Sequence, residues 1–106
     1  MSTKRNDTVD ALEATKDVWE KMTFGGFIRS LRMCDEITQV ELAKKLGVSK
    51  QFLNDVEHNR KEVGFAFAKK ISSTLGYSIE TFLELLIRQQ LKKQHLHYIV
   101  EIKKAS

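Results

Sequence analysis

Lys50, Gln51, Asn54, Asp55 and His58 are spaced so that, on one helix, their side chains leave from the face opposite Leu53 and Val56. With the two apolar residues turned to a core, Lys50 stands at the exposed N-terminal end and the others project outward. Taken alone such a face is usually only solvated, but side chains of these types can also pair with base edges. The Gln51 carboxamide can both donate to and accept from adenine, a lysine donates to guanine O6 and N7, and a carboxylate such as Asp55 accepts from the cytosine amine. Asp55 also has a second reading, as one half of an intrahelical pair or a cap, because a negative charge in a groove is repelled by phosphate.

To be presented in this way, the residues need a particular scaffold, and positions 38–59 have its parts. Thr38-Gln39-Val40-Glu41 has the form of a capping box, in which the Thr38 hydroxyl and the Glu41 carboxylate each satisfy a free backbone amide. A helix to Leu46 should follow. Gly47-Val48-Ser49 is then a tight turn: glycine supplies a left-handed residue, Val48 plugs the core, and Ser49 caps a helix running from Lys50 to about His58. Leu42, Ala43, Leu46, Val48, Leu53 and Val56 make the apolar side. Ala43 must be small, since two helices crossing steeply over a short turn approach closely there.

The run from Thr38 to Gln51, TQVELAKKLGVSKQ, continued by Leu53, Val56 and Glu57, resembles the helix-turn-helix of phage Cro and repressor proteins, the Xre family. The resemblance covers residues 24–76, about half the chain. It implies a lambda-repressor-like all-α domain that binds double-stranded DNA in the major groove. Lys50, Gln51, Asn54 and Asp55 then correspond to base-reading positions, and Gln39 and Ser49 to phosphate contacts at helix N-termini, where an anion is favoured. Arg32 and Glu57 correspond to a buried structural ion pair. The family usually has Asn-Gly after the glutamate; here the residues are His58-Asn59, and asparagine tolerates the left-handed conformation. Phe52 is large for a position bordering the DNA side. Arg60 and Lys61, just past the reading helix, are placed to neutralise backbone phosphates without reading sequence.

Around this motif the chain reads as helices. Residues 7–22 form a plausible leading helix with Val9, Leu12, Trp19 and Met22 apolar. Thr23 caps the next, in which Phe24, Phe27, Ile28 and Leu31 share a face. Residues 64–75 give a core helix with Phe65, Ala68, Ile71 and Leu75 inward. Ser78 caps a fifth, whose stripe of Ile79, Phe82, Leu83, Leu86, Ile87 and Leu91 is too wide for a lone surface helix to hide. From 96 to 103 the apolar period becomes two, which predicts a short β-strand. The expectation is therefore an all-α five-helix domain with an N-terminal helix or arm (1–22), a DNA-binding unit (23–76) and a C-terminal helix-strand extension (77–106). That extension is expected to dimerise through Phe82, Leu83, Leu86, Ile87, Leu91, Tyr98, Val100 and Ile102. A lone strand needs a partner strand, and one reading helix contacts too few base pairs to bind tightly alone.

Bulk properties agree. The 106 residues carry a net charge of +4 and a pI near 9.3, compatible with a polyanionic partner. Residues 1–22 hold four Lys/Arg and five Asp/Glu, residues 23–76 nine and six, and residues 77–106 five and three. The basic excess begins where the motif does. No run is apolar enough to cross a bilayer and no secretory signal is visible, so a cytoplasmic protein is expected. Cys34 stands alone and reads as a small apolar residue near a helix end. His95 and His97 lack the further ligands a metal needs. No arrangement suggests catalysis or a cofactor. Besides DNA and a second copy, a protein partner stays open: an antitoxin would also bind a toxin, a restriction-modification controller would activate as well as repress, and a bridging module would have lost DNA affinity.

Overall fold

The structure, a computed structural model, describes residues 18–105. Five helices follow in order: α1 (Phe24–Cys34), α2 (Gln39–Leu46), α3 (Lys50–Glu57), α4 (Phe65–Leu75) and α5 (Ile79–Lys93). The expected leading helix lies mostly outside the described residues; its end, residues 18–21, is helical.

Short polar residues start the helices and left-handed residues stop them. Thr23 Oγ1 accepts from Gly26 N at 3.0 Å, Thr38 Oγ1 from Glu41 N at 3.1 Å and Ser49 Oγ from Phe52 N at 3.0 Å, each satisfying an amide the helix cannot. Gly47 and Gly76 close α2 and α4 at φ 70° and 77°. Glu36, Asn59 and His95, at φ 57°, 59° and 58°, do the same after α1, α3 and α5. At the head of α5 the Ser78 hydroxyl bonds Glu80 instead of capping.

All five helices contribute to one core. Ile28, Leu42, Leu46, Leu53, Ile71 and Phe82 are fully buried. Phe82 packs against Phe27 and Phe24 with ring centroids 5.1 and 6.1 Å apart. That contact carries the core past residue 76. Phe82, Leu85 and Leu86 of α5 belong to the same core as the helix-turn-helix, so α5 is a wall of the domain. Two of the expected dimer residues, Phe82 and Leu86, are thereby spent inside one chain.

The rest of α5 is divided among other neighbours. Arg88 Nη2 donates to the carbonyls of Trp19 and Met22 at 2.8 and 2.5 Å, and Lys92 Nζ to that of Glu20 at 3.0 Å. Two cations thus satisfy the bare C-terminal carbonyls of the leading helix. Trp19 lies edge-on to Phe27 and beneath the Arg88 guanidinium. A third face is open: Phe65, Ala66, Lys69, Ile79, Leu83 and Ile87 line a groove of about 410 Å³ between α4 and α5.

Two further expectations change. Residues 96–103 form no strand, because the described residues offer no partner for a ladder; the Ile102 N–H goes to Glu84 Oε1 at 2.9 Å. Alternation survives as burial alone, with Val100 and Ile102 half-buried and Glu101 and Lys103 exposed. Phe65, expected inside, is 56% exposed, and Phe67 packs inward in its place. Cys34 is exposed. No helix among the described residues is long and apolar enough to cross a membrane.

Candidate nucleic-acid interface

The position of α3 is fixed from behind. Leu53 and Val56 enter the core with at most 1% exposure, and the Glu57 side chain beside them is completely buried. Its carboxylate is held by Arg32 of α1 through two parallel bonds, Nε to Oε2 at 2.8 Å and Nη2 to Oε1 at 3.1 Å. The remaining Arg32 nitrogen, Nη1, donates to the Ile37 carbonyl at 2.9 Å. A buried charge requires this degree of partnering. The ion pair therefore clamps the end of α3 to α1 and to the segment leading into α2.

Gln39, expected to meet phosphate, turns inward instead. Its Nε2 donates to Glu57 Oε1 at 3.0 Å and to Asn54 Oδ1 at 3.2 Å, tying the first turn of α2 to the last two turns of α3. What Gln39 keeps for an anion is its backbone N–H at the α2 N-terminus. Asn54 in turn has its oxygen occupied and presents its amino group. Ser49 Oγ accepts from the α3 backbone while its hydroxyl proton stays available to donate.

On the outer face, Lys50 and Gln51 are exposed and Asn54 and Asp55 half-buried. Gln51 Nε2 donates to Asp55 Oδ1 at 3.0 Å, and Arg60 reaches the same oxygen through Nε at 3.1 Å and Nη2 at 3.0 Å. Asp55 thus adopts the paired reading. Arg60, expected at the DNA backbone, is held by it. Lys61 is exposed and its Nζ lies 5.1 Å from the Phe52 ring centroid. The size of Phe52 is explained by its packing on Phe67, 5.8 Å between centroids, which joins α3 to α4. His58 Nδ1 lies 2.8 Å from the Asn54 carbonyl, to which it donates.

Two residues at the α1–α3 junction do more than the sequence announced. Gly25 of α1 sits where a Cβ would run into the Val56 carbonyl and come within 2.8 Å of Glu57 O and Asn59 Oδ1. Only a residue without a side chain lets α1 approach the end of α3 so closely. Asn59, besides making the turn, accepts from Gly25 N at 3.2 Å and donates to Thr23 Oγ1 at 2.9 Å. Its side chain welds the same junction. A glycine at that position, as the family usually has, would make the turn without these bonds.

The left-handed turn at Gly47 between α2 and α3, the capped start of α3 and its outward polar face are the parts of one motif, and a helix-turn-helix family model matches residues 28–82, just over half the chain. The chain belongs to the helix-turn-helix family of the Cro and repressor type. Among curated proteins, this helix-turn-helix chain is similar to the immunity repressor protein of Bacillus phage phi105, with 30% identity over 71 residues. The match takes in 65% of this chain and 49% of that protein, so the chain spans about half the length of its relative. No solved structure matches. Among the described residues of this family member, no group of three or more His, Cys, Asp or Glu side chains could hold a metal ion.

Proposed function

We propose that this chain is a DNA-binding transcription regulator acting as a repressor, and that it recognises a two-fold operator as a dimer. The observation that carries the reading is the presentation of α3: an outward reading edge of exposed Lys50 and Gln51 and half-buried Asn54, on a helix locked from behind by Glu57, Arg32 and Gln39. Lys50, Gln51 and Asn54 meet base edges in the major groove. The Ser49 hydroxyl, the first backbone amides of α2, Lys61 and Arg60 approach phosphates. Similarity to a phage immunity repressor supports the direction of control. Such a protein works in the cytoplasm, beside its DNA.

Two copies would set their α3 helices about 34 Å apart, one turn of the duplex, so that two weak half-site contacts act together. Leu83 and Ile87, in the open groove with Phe65 and Ile79, are the α5 positions free to meet a second copy. Leu91 and the tail residues Tyr98, Val100 and Ile102 extend that surface.

Selection from a random DNA pool, followed by affinity against salt concentration, tests the proposal. Enrichment of a two-fold sequence with a steep salt slope is expected. Failure to enrich any sequence, together with binding indifferent to salt, would leave a protein-bridging module as the better description.

A further inference from the structure

A carboxylate accepts hydrogen bonds and cannot donate them, so Gln51 can face Asp55 only through its amide nitrogen. The 3.0 Å bond from Gln51 Nε2 to Asp55 Oδ1 therefore settles which way round the carboxamide lies. Its oxygen and one N–H are left for a ligand, side by side, one accepting and one donating. Asp55 is itself held still: Arg60 Nε and Nη2 lie 3.1 and 3.0 Å from Oδ1, and the Arg60 backbone N–H donates to the Asp55 carbonyl at 2.8 Å. That last contact exists because Asn59 turns the chain back at φ 59°. The arginine also cancels the charge that would make a carboxylate unwelcome near phosphate.

We propose that Asp55 is a specificity-determining positioning residue, which orients Gln51 toward adenine and is not itself a reader of bases. This rests on α3 being the groove-facing helix. Adenine is selected because its N6 amine and N7 offer the donor and acceptor that complement the oriented amide. A freely flipping amide, by contrast, discriminates less, since it can offer its oxygen and nitrogen in either order.

The test uses the full chain and duplexes carrying the enriched sequence, with each base replaced in turn. The position read by Gln51 is the one whose preference disappears in Gln51→Ala. The unsubstituted chain should prefer adenine there by on the order of tenfold, and 7-deazaadenine, which lacks the acceptor, should lose most of that advantage. Asp55→Ala should flatten the preference at this position and no other, because it removes the acceptor that holds the Gln51 amide; in Asp55→Asn, Arg60 keeps an oxygen turned toward Gln51 and the preference should be largely retained. In the Gln51→Ala background, Asp55→Ala should change preference no further, the signature of one residue acting through another. Unchanged preference in Asp55→Ala, or loss of preference at a separate cytosine, would overturn the proposal while leaving the DNA-binding reading intact. Absence of salt-dependent DNA binding by the unsubstituted chain would overturn both.

Discussion

Glu57 has no exposed side-chain surface, and Arg32 only 12%, so each depends on the other for the solvation it has given up. Removing one partner strands a buried charge, which typically costs far more than the pair contributes. Glu57→Leu and Arg32→Met should each lower unfolding free energy by ~3–5 kcal/mol, with much of the loss recovered in the double variant. Urea titration of the three proteins measures this, and additive losses would contradict the pairing. Lys61 poses a different question. Exposed and, among the described residues, in contact only with the Phe52 ring, it should act on DNA as a point charge. Lys61→Ala is expected to weaken binding to every sequence alike and to reduce the salt slope by about one. An altered base preference with an unaltered slope would instead place Lys61 at a base edge.

Among the elements, α1 and α3 meet closely at Gly25. Gly25→Ala pushes a methyl group against the Val56 carbonyl, and backbone cannot swing aside as a side chain would. A loss of ~1–3 kcal/mol or more is expected, seen as a lowered melting temperature. Glu36→Gly should act in the opposite sense, because the left-handed φ of 57° strains a residue with a Cβ; a gain of up to about 1 kcal/mol is expected. Unequal signs in one melting series would separate crowding from backbone strain. These elements also show where sequence was informative. Thr23, Thr38, Ser49 and Gly47 announced helix ends because capping is local chemistry between near neighbours. Gly25 announced nothing, since its reason lies more than thirty positions away. Gln39 read as a phosphate contact because its family position gives no hint that Glu57 and Asn54 stand within reach. The tail failed as a strand for a related reason: alternation records which side is buried, whereas a strand also needs a neighbour. Phe65 and Phe67 exchanged places because a helix start overhangs its core, and periodicity does not say where the overhang ends.

For the whole molecule, the burial of Phe82, Leu85 and Leu86 means that cutting the chain at residue 76 would open the core, and cannot isolate a dimerisation segment. Point changes in the open groove are the cleaner probe. Leu83→Glu and Ile87→Lys should retain helical content and melting behaviour close to the unsubstituted chain while sedimenting as monomers and losing tight operator binding. Unchanged sedimentation would direct the search for an interface elsewhere, toward the tail. There, Ile99 is 99% exposed and Tyr98 65%, beyond the last helix and with no ladder to protect the backbone. Chymotrypsin needs just such an aromatic residue on a strippable stretch of chain, so in dilute solution Tyr98 is where the first nick should fall. If the tail is covered when two copies meet, the cleavage rate per molecule should fall as the protein is concentrated at a fixed protease ratio. The same exposed tyrosine thus becomes a built-in reporter of self-association.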